Sequence, residues 1–151
     1  MLPNERVTYS AIKDRPAMVL PGGGRLIVWV IVNVEEWNPR EPMPRTVLTP
    51  PAGGSPEPDI PNWAWHEYGN RVGFWRMLGV LDRLKIRAVL AINGSAIHAY
   101  EAIAIAAKER QWEFIGHGFG QKNMQKVPDE RADIVKTTNA IRDFTGRPPR
   151  G

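Results

Sequence analysis

The stretch Gly22-Gly23-Gly24-Arg25-Leu26-Ile27-Val28-Trp29-Val30-Ile31-Val32-Asn33-Val34-Glu35-Glu36-Trp37 sets the fold class of this chain. A glycine turn opens it. From Leu26 to Val32 it carries no charge and is dominated by β-branched and aromatic residues, the composition of a strand buried on both faces in a parallel sheet. The run stops at two adjacent carboxylates, Glu35 and Glu36. In parallel α/β folds ligands bind at the carboxyl ends of strands, so this acidic pair stands where chemistry is expected. Gly22–Gly24 is not a phosphate loop, because it precedes the strand instead of following it.

Downstream, Asn38 to Asn62 holds eight prolines and Gly53-Gly54-Ser55. Proline fixes φ and removes amide donors, so neither a helix nor a central strand is expected. A connection this long that leaves directly from the acidic pair reads as a lid or substrate wall. Val72–Leu84 then shows helical spacing, Ala88–Ile92 is a second apolar strand, and Asn93-Gly94 ends it. Ser95 is expected to cap a helix from Ala96 to about Arg110. Trp112–Ile115 is a third strand, and Gly116-His117-Gly118-Phe119-Gly120-Gln121 leaves its end. A last helix starts at Pro128 or Asp129, runs through Phe144 and stops at Gly146. Trp63, Trp65 and Trp75 are expected in the core. The alternation of β and α predicts a parallel sheet with right-handed crossovers. Residues 1–21 read as an irregular arm over the bottom of the domain, and 22–151 as the domain itself.

Composition narrows the function classes. The 151 residues suffice for one core, and six tryptophans with 42% hydrophobic residues suit a globular chain. With no cysteine, thiolate metal sites and a cysteine nucleophile are excluded. The net charge of +4 is dispersed, so nucleic acid is not an expected partner. No signal peptide is evident, and the longest apolar run is seven residues, too short to span a membrane. A cytoplasmic location is the resulting expectation.

Several of these segments together resemble the N-terminal half of the polysaccharide deacetylase (NodB homology) superfamily, in the branch with cofactor-independent allantoinases of the PuuE type and peptidoglycan-deacetylase-like proteins. Val32–Glu36 is similar to the first motif, an acidic pair ending strand one. Glu67–Arg76 is similar to the Tyr-Gly-x-Arg-x-Gly segment before the first helix, and Ala88–Gly94 to the second strand. Gly116–Gln121 stands where His-x-x-x-His is expected, and Arg147–Gly151 matches Arg-x-Pro-x-Gly of the third motif. The resemblance implies a partial deformed (β/α) barrel that hydrolyses a non-peptide amide of an N-acetyl sugar, a ureide or another small molecule. By position it makes Glu35 the base that activates water, Glu36 and His117 metal ligands, and Arg147 the cation that keeps the base ionised. Trp37, His66, Tyr68, Arg71 and Gln121 become candidate substrate contacts.

Two departures from the family pattern matter. Gln121 occupies the place of the second histidine, and an amide oxygen is a poor substitute for imidazole on zinc or another divalent metal. No cofactor is therefore expected. The resemblance also stops at the third motif. Three or four strands of a barrel leave an open edge and an apolar interior, so self-association, a partner chain or a missing C-terminal half is expected. The alternative to the hydrolase is then a non-catalytic half-barrel.

Overall fold

In the computed structural model, residues 7–50 and 57–151 are described. Three short strands, β1 (Ile31–Val34), β2 (Val89–Ile92) and β3 (Glu113–Gly116), form one parallel sheet in the order β1-β2-β3. The helices α1 (Ile60–Tyr68) and α2 (Phe74–Arg83) follow β1, α3 (Ala96–Ala99) and α4 (Glu101–Glu109) follow β2, and α5 (Glu130–Thr145) follows β3. This is the predicted βα alternation.

Strand register explains the core. Val32 pairs with Leu90 and Leu90 with Phe114, and Val34 pairs with Ile92. Side chains alternate between sheet faces, so these residues share one face. They pack there with Phe74, Leu78 and Leu81 of α2, Ile103, Ala104 and Ala107 of α4, and Ile141 of α5.

Several expectations are corrected. The first strand starts later than its apolar run: Leu26, Ile27, Val28 and Trp29 are exposed. Pairing begins only where the Val30 carbonyl accepts the Val89 amide, at 2.9 Å, because β2 is four residues long and offers nothing earlier to bond. The first helix begins at Ile60, inside the proline-rich stretch and well before Val72. Asp59 caps it by accepting the Asn62 amide at 3.1 Å, and Pro61 is tolerated in a first turn whose amides have no helical acceptor. A π-helical turn, Gly69–Gly73, joins α1 to α2. Ser95 forms no cap bond, since its own backbone is already helical (φ −69°, ψ −32°), and the helix after it breaks at Tyr100 (φ −128°, ψ 50°). Finally, residues 7–19 are almost all exposed instead of packing under the domain, and Trp65 and Trp75 are exposed rather than core.

The last helix follows the sequence signals. Asp129 accepts the Ala132 amide at 2.9 Å, and Gly146 ends the helix at a left-handed φ of 86°. No described helix is long and apolar enough to cross a membrane.

Candidate active site

One row of residues lies just past the carboxyl ends of the three strands. The ladder pairs Val34 with Ile92 and Ile92 with Gly116, so the next row is Glu35, Asn93 and His117. Two further bonds hold it in register: the Asn93 amide to the Val34 carbonyl and the His117 amide to the Ile92 carbonyl, both 3.1 Å. Residues in one row project to one face. Glu35 and His117 therefore face each other across β2, their backbones about 10 Å apart by strand spacing, and their side chains close the gap. His117 Nε2 lies 3.1 Å from Glu35 Oε1.

Asn93 occupies the middle of the row and is fully buried. Its Oδ1 accepts the Glu36 amide at 3.0 Å. Its Nδ2 donates to the His117 carbonyl and, at 3.2 Å, to Gln121 Oε1. One side chain thus ties the exit of β1 to the exit of β3.

Glu35 is fastened from several sides. Its Oε2 accepts Trp37 Nε1–H at 2.8 Å, and its carbonyl accepts from Asn70 Nδ2 at 3.0 Å and meets His66 Nε2 at 2.8 Å. The His66 ring stacks on Trp37, with centroids 4.3 Å apart and planes 2° from parallel. The hydrogen bond from His117 holds the Glu35 carboxyl below the ordinary carboxylate range. Burial opposes this, and Trp37 and the nearby histidines assist. The same bond raises the His117 imidazole above its usual value against burial.

An open cleft of about 1570 Å³ adjoins this row. Its wall includes Glu36, Trp37, Arg71, Gln121 and two residues that sequence reasoning passed over, Glu67 and Tyr100. Glu67 is buried; Arg71 Nε donates to its Oε2 at 2.8 Å and the Tyr100 hydroxyl donates to its Oε1. Burial, then the bond to Glu67, pushes the Tyr100 phenol up.

Of the residues predicted from sequence, Glu35, His117, Trp37 and His66 thus meet at the strand ends, while Glu36, Arg71 and Gln121 face the cleft beside them. Two do not. The Tyr68 hydroxyl is exposed and accepts from Arg76 Nη1 at 3.0 Å, outside the cleft. Arg147 lies at the other end of the sheet, in a cavity of about 440 Å³ lined also by Val89 and Glu113, the first residues of β2 and β3. The chain climbs beside β3 from there, and only at Gly151 does it reach the upper end, where its carbonyl accepts the Gly116 amide at 2.9 Å. Four residues of extended chain, about 13 Å, separate Arg147 from the site. The group that bonds the Glu35 carboxylate and lowers it is therefore His117, not Arg147.

Asn93 carried a usable signal, since an Asn-Gly ends β2 at the same offset as Glu35 after β1 and His117 after β3. Glu67 and Tyr100 carried none, because their contact joins positions 33 apart.

The metal arrangement that the resemblance implies needs an acid and two imidazoles. Here the His117 imidazole bonds the Glu35 carboxylate, the His66 imidazole meets the Glu35 carbonyl, and the Gln121 oxygen already accepts from Asn93. Among the described residues no three His, Asp or Glu side chains are grouped to hold an ion. The residues present do not fit such a centre.

Residues 64–151, more than half of the chain, match the family model described as polysaccharide deacetylase. The chain belongs to the polysaccharide deacetylase family. The crystal structure of PuuE allantoinase superposes with a TM-score of 0.74 at 20% identity, over 89% of this chain and 48% of that one. A "probable Polysaccharide deacetylase from Pseudomonas aeruginosa PAO1" superposes at 0.63 and 19% identity, over 80% and 44%. This deacetylase-family chain thus spans less than half the length of these two structures, and at such identities they bear on its fold alone. No curated protein matches its sequence.

Proposed function

We propose that the chain belongs to a hydrolase of carbon–nitrogen bonds in non-peptide amides, with an N-acetylated sugar or a ureide as substrate. The observation that carries this reading is the Glu35–His117 hydrogen bond at the strand ends, beside an open cleft. Family membership and the deacetylase-like and allantoinase-like fold support it.

The pair divides its labour by basicity. Glu35 takes hydrogen bonds on both oxygens and is held ionised below its usual range, which makes it a weak base and a firm anchor. His117, raised above its usual value, comes nearer the operating pH at which a general base is most effective. The base expected at Glu35 is thereby reassigned to His117, with Glu35 fixing its tautomer and orientation as in other carboxylate–histidine pairs. Nδ1 of His117 takes a proton from water as the water oxygen attacks the amide carbon. The carbonyl electrons move to oxygen, where the Arg71 guanidinium stabilises the charge. As the oxyanion collapses, the C–N bond breaks and Nδ1 returns its proton to the departing nitrogen, leaving acid and amine. No resident metal takes part in this proposal.

Release of acetate from N-acetylated oligosaccharides, and of ureide cleavage products, by the purified chain tests the reading. Glu35→Gln should lower turnover at least about 100-fold, because it leaves the His117 base without the carboxylate that sets its tautomer. Full turnover in that variant refutes the assignment.

A second reading has its own observation. Leu26, Ile27, Val28 and Trp29 are 63–78% exposed, next to a β1 edge without a strand partner among the described residues. A half-barrel that self-associates or takes strands from another polypeptide would cover both. Light scattering that returns a well-behaved monomer with a cooperative melt removes it.

A further inference from the structure

The cleft holds one buried carboxylate that the hydrolytic scheme leaves unused. Glu67 is 5% exposed, and both its oxygens are committed, one to the Tyr100 hydroxyl and one to Arg71 Nε. A carboxylate only accepts and a guanidinium only donates, whereas a phenol can do either. Glu67 removes that ambiguity. With its hydrogen directed at Glu67, the Tyr100 oxygen is left as an acceptor. The other guanidinium N–H groups of Arg71 have no protein acceptor among the described residues and remain donors.

We infer that Glu67 sets the hydrogen-bond polarity of the cleft, so that Tyr100 accepts the N–H and Arg71 donates to the C=O of a secondary amide. This rests on reading the cleft as an amide site.

Three features of the fold serve this arrangement. The helix after β2 breaks at Tyr100, which turns the phenol into the cleft wall. The π-helical turn begins two residues after Glu67 and carries Arg71, and such turns recur at functional sites. Several of the polar groups nearby are otherwise engaged. Asn70 donates to the Glu35 carbonyl and also lies against the Tyr100 hydroxyl, Lys122 pairs with Glu41 at 3.4 Å, and Asp133 accepts the Phe119 amide at 2.9 Å. Ser95 adds an unspent group to the same wall, for its Oγ is enclosed without a hydrogen-bond partner in the structure.

The consequence is a preference for amides that keep an N–H. N-methylacetamide and N,N-dimethylacetamide share a carbonyl and differ in that hydrogen. The ¹⁵N-labelled chain is titrated with each, following the Arg71 Nε–H and Trp37 Nε1–H resonances. One hydrogen bond of ordinary strength predicts about five-fold tighter binding of the secondary amide. Tyr100→Phe should bring that ratio to about one, and Arg71→Met should weaken both probes while keeping it. Equal affinities in the wild type, no response at either resonance, a ratio that survives Tyr100→Phe, or unchanged affinities in Arg71→Met would each overturn the inference. Should Tyr100→Phe fail to fold, the wild-type ratio and the exposed Arg71 variant carry the test. Turnover that ignores Glu35→Gln, with the ratio intact, defeats only the hydrolase reading. Loss of the ratio, with turnover still dependent on Glu35, defeats only this one.

Discussion

Asn93→Ala strikes the one side chain that binds the exits of all three strands. The substitution strands the Glu36 amide, 3.0 Å from the lost Oδ1, and the His117 carbonyl that Nδ2 had served. Each buried group left without a partner costs about 1–3 kcal/mol. The two share one cavity and do not add in full, so the net loss is about 3 kcal/mol. For a chain of this size each kcal/mol lowers Tm by about 2–4 °C, so circular dichroism should record a fall of about 6–12 °C. A second readout separates geometry from mere volume. With the row loosened, His117 moves off Glu35 and its pKa, followed by NMR, falls toward 6.5. Asn93→Asp preserves the acceptor for the Glu36 amide but turns a carboxylate toward the His117 carbonyl and the Gln121 oxygen. It should be at least as unstable as the alanine variant. An alanine variant that melts within about 1 °C of the parent, with His117 titrating as before, refutes the bridging role.

The Glu35–His117 pair should also give stability a defined pH window. The lowered Glu35 contributes above its unfolded value of 4.5 and loses that contribution as pH falls through the lower folded value. The raised His117 contributes below 6.5 and loses that contribution as pH rises through the higher folded value. Urea unfolding of the parent against Glu35→Gln should therefore differ most between pH 4.5 and 6.5. With side chains 34% and 19% exposed, the difference is about 1–2 kcal/mol after screening; a difference that does not vary with pH contradicts the pairing. Gly94→Ala would set a Cβ 2.7 Å from Phe119 Cδ2 and 3.3 Å from the Thr137 backbone. The ring can shift but the helix cannot, so chemical denaturation should show about 1–3 kcal/mol of destabilisation; an unchanged midpoint would be inconsistent with that close approach.

Much of the fold was legible because it depends on local pattern. Apolar runs at Ala88–Ile92 and Trp112–Ile115, the Asp129 cap and the Gly146 stop are written in neighbouring residues, and βα alternation leaves few topologies. Where the apolar run and the strand part company, at Leu26–Trp29, the reason is non-local. Hydrophobicity says what a segment would bury, and only a neighbouring strand decides whether it does.

The site divides along the same line. By itself the sequence determined which residues end the strands, since Glu35, Asn93 and His117 each follow an apolar run and a strand exit is a local event. Tertiary structure alone decided which of them meet. In-register pairing of three parallel strands puts these three in one row, and the same geometry holds Arg147 at the far end of the sheet despite its motif-like surroundings. Nor could spacing along the chain show that Glu67 and Tyr100 touch, because a contact between two helices separated by a strand is a product of packing.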